Sequence, residues 1–279
     1  MRKNIIFLDG ATISASTALR RSLSPGILCG RGVFETMRAY RGRIFALEQH
    51  TARLFRGLRA LGIAAPHTRR QFHSHLFACL ELNKLKNARL RLTVWREHRC
   101  VRTAVIAAAY QPPARMLYTH GCKAALSSIR HAKRTTPPYV KSIRYLPLLT
   151  AFRTAQSRGY HEALIRNRQG LLVEGSRSNI FCARDGAMYT PALLCGCLDG
   201  ITRRLVITLA RTYGIACREA KIPSQEIYSY DEVFLTNSLI EILPVSSVAG
   251  KRIGSGRVGT VTAALLKHYK KMVRAACAA

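Results

Sequence analysis

Lys141, Glu174 and Thr202 are the residues whose types and surroundings could do chemistry. Lys141 lies in Tyr139-Val-Lys-Ser-Ile-Arg-Tyr-Leu146, Glu174 in Leu172-Val-Glu-Gly-Ser-Arg-Ser-Asn-Ile-Phe181, and Thr202 in Leu198-Asp-Gly-Ile-Thr-Arg203. A lysine amine condenses with a carbonyl once it has lost its proton, and burial beside other cations favours that loss. A carboxylate can hold a proton on a ring nitrogen. A Gly/Thr turn that opens a helix offers backbone N–H groups and a hydroxyl to a phosphate. Amine, acid and phosphate turn are the parts needed to hold pyridoxal 5′-phosphate (PLP).

These segments resemble those of the class IV aminotransferases, the fold type IV PLP enzymes. The resemblance runs from about residue 3 to about residue 273. The family includes branched-chain aminotransferase, D-amino acid aminotransferase and aminodeoxychorismate lyase. It implies that Lys141 forms the Schiff base and, once freed, moves a proton at the substrate carbon as a general base. It implies that Glu174 pairs with the pyridine nitrogen, with Gly175 and Ser176 forming a tight turn and Asn179 organising it. Leu198 would pack on the ring. Gly200, Ile201 and Thr202 would receive the phosphate. His50-Thr-Ala-Arg-Leu54 matches the family's H-x-x-R-L and places Arg53 on that phosphate; read alone, Arg53 is also a helix-face arginine in a surface ion pair. Thr236-Asn-Ser-Leu239 matches the last phosphate-binding turn, with Asn237 and Ser238 as carried-over positions; read alone, it is a strand-end turn.

The cofactor does not choose the reaction. Val33-Phe-Glu-Thr-Met-Arg38 resembles a lyase-like pattern, and Thr36 adds a hydroxyl near the expected substrate pocket. The Thr-Asn-Ser turn and the Lys141 segment lean the same way. The motifs therefore suggest aminodeoxychorismate lyase, which expels pyruvate and leaves 4-aminobenzoate for folate synthesis. The alternative is a branched-chain or D-amino acid aminotransferase that passes an amino group to a 2-oxo acid. Arg96, in Thr93-Val-Trp-Arg-Glu97, resembles a position that takes a substrate carboxylate, a task that suits a bidentate guanidinium. Arg144 stands where the family commonly has Asn; it either meets a substrate carboxylate or points outward. Arg38, Arg89 and Arg91 read as structural or solvent-facing rather than catalytic, on strands that could border the active site.

These residues need a scaffold. Asn4 to Leu8 and Ala11 to Ile13 read as strands around Asp9-Gly10. Val33 to Tyr40 is a strand, closed by Arg41-Gly42 and followed by a hairpin partner, Arg43 to Leu47. Helices are expected over His50 to Leu61 and Thr68 to Leu82. Strands follow over Ala88 to Trp95 and Arg102 to Ala109. Gln111-Pro-Pro113 breaks the pattern, and a second loop, Lys133 to Pro138, leads to Lys141. Then come a helix from Pro147 to Arg158, strands around Gln169-Gly170 and Asp185-Gly186, a helix from Thr202 to Tyr213, a strand from Glu232 to Thr236 and a last helix from Val258 to Val273. The mixture is α+β. We expect a small N-terminal lobe over 1–110, a linker over 111–117 and a larger PLP-binding lobe over 118–279. The resemblance adds a barrel-like form for the second lobe and a homodimer.

The chain has 279 residues, with 45 Lys and Arg against 14 Asp and Glu, a formal charge of +31. Such a field attracts polyanions. The charges run along the whole chain, as in Arg20-Arg21, Arg69-Arg70, Arg203-Arg204 and Lys270-Lys271, without a recognition module. They read as a generally cationic surface that helps gather a small anionic substrate, with no dedicated nucleic-acid or membrane partner. Arg2-Lys3 is not followed by an apolar run of signal length, and no stretch approaches the ~20 apolar residues of a membrane span. A cytoplasmic protein is expected. The nine cysteines are scattered, and Cys195-Gly-Cys197 has no second cluster at zinc spacing, so free thiols and no metal site are expected. Gly254-Ser-Gly-Arg-Val-Gly259 lacks the strand, spacing and lysine of a nucleotide-binding loop.

Overall fold

The computed structural model describes residues 5–14, 31–131 and 136–278. Arg2-Lys3, Asn4, Arg20-Arg21 and the start of the Lys133 to Pro138 loop lie outside them. Two compact units form. The first comprises Met1–Gln111, Tyr139–Arg144 and Ala275–Ala279; the second comprises Pro112–Pro138 and Tyr145–Arg274. Lys141 is thus counted with the N-terminal unit.

The first unit is built on β1 (Ile5–Leu8), β2 (Ala11–Ser14), β3 (Gly32–Tyr40), β4 (Arg43–Ile44), β5 (Ala88–Glu97) and β6 (Cys100–Ala109). They pair antiparallel in the order β2-β1-β6-β5-β3-β4. Helices α1 (Leu47–Ala60) and α2 (Arg69–Leu82) cover one face. The strand period of two sends Val33, Met37, Ala39, Leu90, Leu92, Val94 and Val105 towards Leu54, Leu58, Phe72 and Leu76. Phe34, Thr36, Arg38, Arg89 and Arg91 alternate with them. Thr68 caps α2 in a capping box with Gln71. The expected strand from Arg43 to Leu47 stops at Ile44. Ala46 turns left-handed at φ 54°, and the chain enters α1 three residues before the expected start.

The second unit carries β7 (Cys122–His131), β8 (Glu162–Asn167), β9 (Leu172–Gly175), β10 (Asn179–Arg184), β11 (Ala187–Pro191), β12 (Cys217–Ala220), β13 (Glu232–Asn237), β14 (Glu241–Val248) and β15 (Lys251–Arg252). Their order is β12-β11-β10-β13-β14-β7-β8-β9, with β15 on β14. Pairings β11–β12, β14–β7 and β7–β8 are parallel and the others antiparallel. The sheet curls, so that β9 at one end of the path also lies against β10 and β11. This is the barrel-like lobe of a two-lobed α+β fold. Helix α3 (Arg115–His120) packs on β14, α4 (Leu146–Ser157) on β7 and β8, and α5 (Ile201–Thr212) on β12 and β13. Pro147 sits in the first turn of α4, where its missing N–H costs nothing. Helix α6 (Thr260–Ala276) begins on Glu232, whose carboxylate accepts from the N–H groups of Val261 and Thr262 at 3.0 and 2.8 Å.

Among the described residues, no helix is long and apolar enough to cross a membrane. The eight described cysteines are free thiols, and Cys195 and Cys197 are buried.

Candidate active site

In the first unit, Lys141 is held against the start of β3. The Phe34 N–H donates to the Lys141 carbonyl at 2.9 Å, and the Ile143 N–H donates to the Gly32 carbonyl at 3.1 Å. Val33 and Ser142 form an antiparallel bridge. Val140, 1% exposed, anchors the segment in the core below. Gly57 on α1 lies close beneath: a Cβ there would meet Val33 Cγ1 at 3.2 Å, a tight contact that Val33 would have to yield to. The Lys141 Nζ then lies 4.7 Å from the centroid of the Phe34 ring. The Arg91 guanidinium carbon lies 3.9 Å from the same centroid. Thr36 is one strand period on from Phe34 and pairs with Arg91 across the β3–β5 ladder. Lys141, Phe34, Thr36 and Arg91 are thus gathered on one sheet face.

Arg53 is turned to the other face of β3. It is 4% exposed, and its Nε and Nη2 donate to the Oε1 and Oε2 of Glu35 at 2.8 and 2.6 Å. His50 Nδ1 lies 2.7 Å from the same Oε2. Burial pushes the Glu35 pKa up, but the charge and hydrogen bonds of Arg53, then those of His50, outweigh it and bring it down to about 2. Burial lowers the pKa of His50, against the bond to Glu35 and with help from the Arg53 and Lys141 charges. Beside a carboxylate, the neutral ring carries its proton on Nδ1.

In the second unit, Glu174 is buried on β9. Its Oε2 accepts from the Leu198 N–H at 2.8 Å, and Asn179 Nδ2 donates to the Leu198 carbonyl at 2.8 Å. Both backbone groups of Leu198 are therefore fixed by the Glu174 turn. Gly200 follows and caps α5 without a side chain. A Cβ at Gly200 would overlap Asn179 Oδ1, so glycine is required where the two turns meet. Ile201 and Thr202, 3% and 4% exposed, open the helix. A second acid supports the Glu174 turn from below. Glu162 accepts from the hydroxyls of Ser176 and Ser178 and from the Ala163 N–H.

Asn237 uses its side chain on its own turn. Oδ1 accepts from the N–H groups of Leu239 and Ile240 at 2.8 and 2.9 Å, and Nδ2 donates to the Arg177 carbonyl at 2.9 Å. Ser238 follows, half-buried. Arg96 is exposed at the end of β5, where its Nε donates to the His98 carbonyl at 3.3 Å. Arg144 is exposed, and its N–H donates to Ser142 Oγ.

Three residues escape the sequence reading. Arg91 was read as structural or solvent-facing on a strand that could border the site, and its register opposite Thr36 was not used. Glu35 lies inside a quoted motif but was given no role; its period with Val33 and Met37 was the available signal. Glu162 left no signal, because its partners are the two serines of a turn 14 and 16 residues away.

The description "amino-transferase class IV" matches residues 32–248. The branched-chain-amino-acid aminotransferase of Pseudomonas aeruginosa is 34% identical, covering 98% of this chain and 94% of that one. The aminodeoxychorismate lyase of Bacillus subtilis is 30% identical, covering 97% and 95%. The crystal structure of a branched-chain aminotransferase from Thermoproteus uzoniensis, solved with norvaline, superposes with a TM-score of 0.88 at 29% identity, covering 98% and 96%. These figures correct the leaning towards the lyase, since over the whole chain the likeness is greater to a branched-chain aminotransferase. The motifs misled for a physical reason. The Thr-Asn-Ser turn is closed by Asn237's own hydrogen bonds, so it reports turn geometry more than substrate. The family match spans most of the chain, and the protein belongs to the class IV aminotransferases.

Proposed function

We propose that this protein is a PLP-dependent aminotransferase that passes an amino group between a branched-chain amino acid and a 2-oxo acid. The observation that carries the reading is its similarity, across nearly the whole chain, to the branched-chain enzyme of Pseudomonas aeruginosa. The residues present fit the cofactor. Glu174 brings a buried carboxylate, and Gly200 leaves the first turn of α5 without a capping side chain or an acid. The hydroxyl of Thr236 is buried without a partner in a strand that leads to Asn237 and Ser238.

PLP, when bound, would supply an aldehyde carbon to carry the amino group and a ring to draw off negative charge from the substrate α-carbon. Lys141 is the amine that holds that aldehyde between turnovers and carries the α-carbon proton during them. Glu174 keeps the ring nitrogen protonated. The N–H groups of Ile201 and Thr202 and the Asn237–Ser238 turn would receive the phosphate, a role that the family resemblance also gives to Arg53. Leu198, fixed at both backbone groups, gives the ring a rigid apolar neighbour. For the substrate carboxylate, Arg91 is better placed than Arg96 or Arg144, because it shares the Phe34 ring with Lys141. Thr36, its register partner, is the adjacent hydroxyl. A homodimer is the expected assembly.

Purified protein supplied with PLP should aminate 2-oxoglutarate from L-leucine, L-isoleucine and L-valine. D-alanine and D-glutamate should serve at least tenfold less well. Turnover of D-alanine without turnover of the branched-chain L-amino acids would move the assignment to D-amino acids. No amino transfer from any of the five would overturn it.

A further inference from the structure

Glu162 is a buried carboxylate without a cation. It opens β8, is 4% exposed, and among the described residues makes no ion pair. Its bonds go to its own strand and to the turn that follows Glu174. Oε1 accepts from the Ala163 N–H at 2.9 Å and from the Ser176 hydroxyl, and Oε2 accepts from the Ser178 hydroxyl at 2.9 Å. Its Cγ and Cδ lie against Gly175: a Cβ there would meet them at 3.1 and 3.2 Å and would overlap Ser178 Oγ. Gly175 is not among the residues with positive φ, so glycine is needed here for room. Burial, and then Glu162 itself, push the Cys122 thiol on β7 up to about 12, so this neighbour stays neutral and offers no countercharge.

Stability does not explain this carboxylate. Burial of a charge is costly, and neutral donors offset that cost less well than a cation does. What Glu162 fixes is a turn. Ser176 and Ser178 bind different oxygens of one carboxylate, so neither side chain moves alone. The backbone is held at the same residues. The Ser176 N–H donates to the Ala163 carbonyl at 2.8 Å, and the Gly175 N–H donates to the Ser178 carbonyl at 2.7 Å. The Tyr145 hydroxyl donates to the Ser176 carbonyl. Glu174, which pairs with Ile165 of β8, therefore leads into a backbone with little freedom. A reacting group is held in place only as well as the residues that support it.

We propose that Glu162 is a positioning residue for Glu174: joined to Ser176 and Ser178, it holds the turn that aims the Glu174 carboxylate, and so sets how firmly the cofactor's ring nitrogen keeps its proton. The proposal rests on the PLP reading above, and every residue in it belongs to the second unit. Glu162 acts through the turn and not on the ring.

The test uses the whole protein, stripped of cofactor and saturated with pyridoxamine 5′-phosphate, which forms no bond to a lysine. The ring nitrogen of this ligand is isotopically labelled, and its NMR shift gives the pH at which the bound ring loses its proton. Thermal melting gives stability separately. In Glu162→Gln, whose amide nitrogen cannot accept from Ser178, that pH should fall by about one unit, a tenfold loss in proton affinity. Ser178→Ala keeps the charge of Glu162 and removes one of its bonds. There the pH should fall by a smaller amount, and this variant decides the matter if Glu162→Gln does not fold. A lower melting temperature with unchanged ring protonation in the folded variants would make Glu162 structural and overturn the proposal. A change in Glu162→Gln alone would also overturn it, because charge at a distance would then suffice. If wild type does not bind the ligand, or if the ring keeps its proton equally well in Glu174→Gln, the PLP reading of Glu174 itself fails, and the proposal with it.

Discussion

Glu174 holds the backbone of Leu198. One carboxylate oxygen accepts from its N–H at 2.8 Å, across 24 residues of sequence. The acid therefore has two jobs that can be separated. It shapes the turn leading into Gly200, and in the proposed function it offers charge to the ring nitrogen.

Substitution of Glu174 should tell the two apart. Glu174→Gln keeps an oxygen that can accept from Leu198 but loses the charge. Its melting curve should stay near wild type, while kcat falls about 10- to 100-fold, the value of one charged hydrogen bond. Glu174→Ala should lose activity and also about 1–3 kcal/mol of stability, because the Leu198 N–H is left without its acceptor. A glutamine variant with wild-type kcat at saturating PLP would reduce Glu174 to a turn residue.

The parts of the fold that were legible in sequence were those with local causes. Asp9-Gly10, Arg41-Gly42 and Asp185-Gly186 all take positive φ where a turn was expected. The capping box at Thr68 starts α2 at its expected place. Strands β7 and β14 carried no sequence expectation. β14 contains Pro244, which argues against a strand, yet it pairs with Phe234 inside the sheet. Lys141 and Glu174 were assigned from sequence because each carries chemistry within a long motif, and their cofactor roles are part of the proposed function. The Glu35–Arg53 pair was not legible, since it joins a strand to a helix 18 residues on. Arg53 alone was assigned, with no reason for its orientation.

Acid should weaken the protein in two steps. The His50 pKa is lowered by folding, so below its ordinary value of 6.5 the unfolded chain binds the proton first and stability falls with pH. The Glu35 pKa is depressed from 4.5 to about 2, so its contribution is full above 4.5 and is lost as pH falls towards 2. That second loss is on the order of 3 kcal/mol. Urea unfolding of wild type and His50→Gln between pH 8 and 3 measures the first loss and the onset of the second. The variant should lack the decline that begins below 6.5. An identical slope in the two proteins would remove His50 from the account.

Thiol reactivity should follow burial. Cys100 is exposed, whereas Cys122 and Cys182 are fully buried, with pKa values pushed up to about 12, by burial and then Glu162 for Cys122 and by burial alone for Cys182. At pH 8 such a thiol is only about one part in ten thousand thiolate. Iodoacetamide on the native protein should label Cys100 and leave Cys122 and Cys182 unmodified until denaturant is added. Peptide mass mapping reads the order, and early labelling of Cys182 would contradict its place in β10.

Lys141 should be the lysine that carries the cofactor. The hydrogen bond from the Phe34 N–H to its carbonyl and the Phe34 ring beside Nζ fix both ends of the residue. Borohydride treatment of the protein reconstituted with PLP should place a phosphopyridoxyl group on the peptide containing Lys141. Lys141→Ala should lose the visible band and at least the 10²- to 10⁴-fold that a positioned proton carrier typically supplies. Phe34→Leu removes the ring but not the backbone bond, so the adduct should still form while the band and its pH dependence shift. An adduct on another lysine, or a Lys141→Ala variant with wild-type turnover, would defeat the assignment. A normal adduct in Phe34→Leu with an unchanged pH profile would show instead that the ring merely packs.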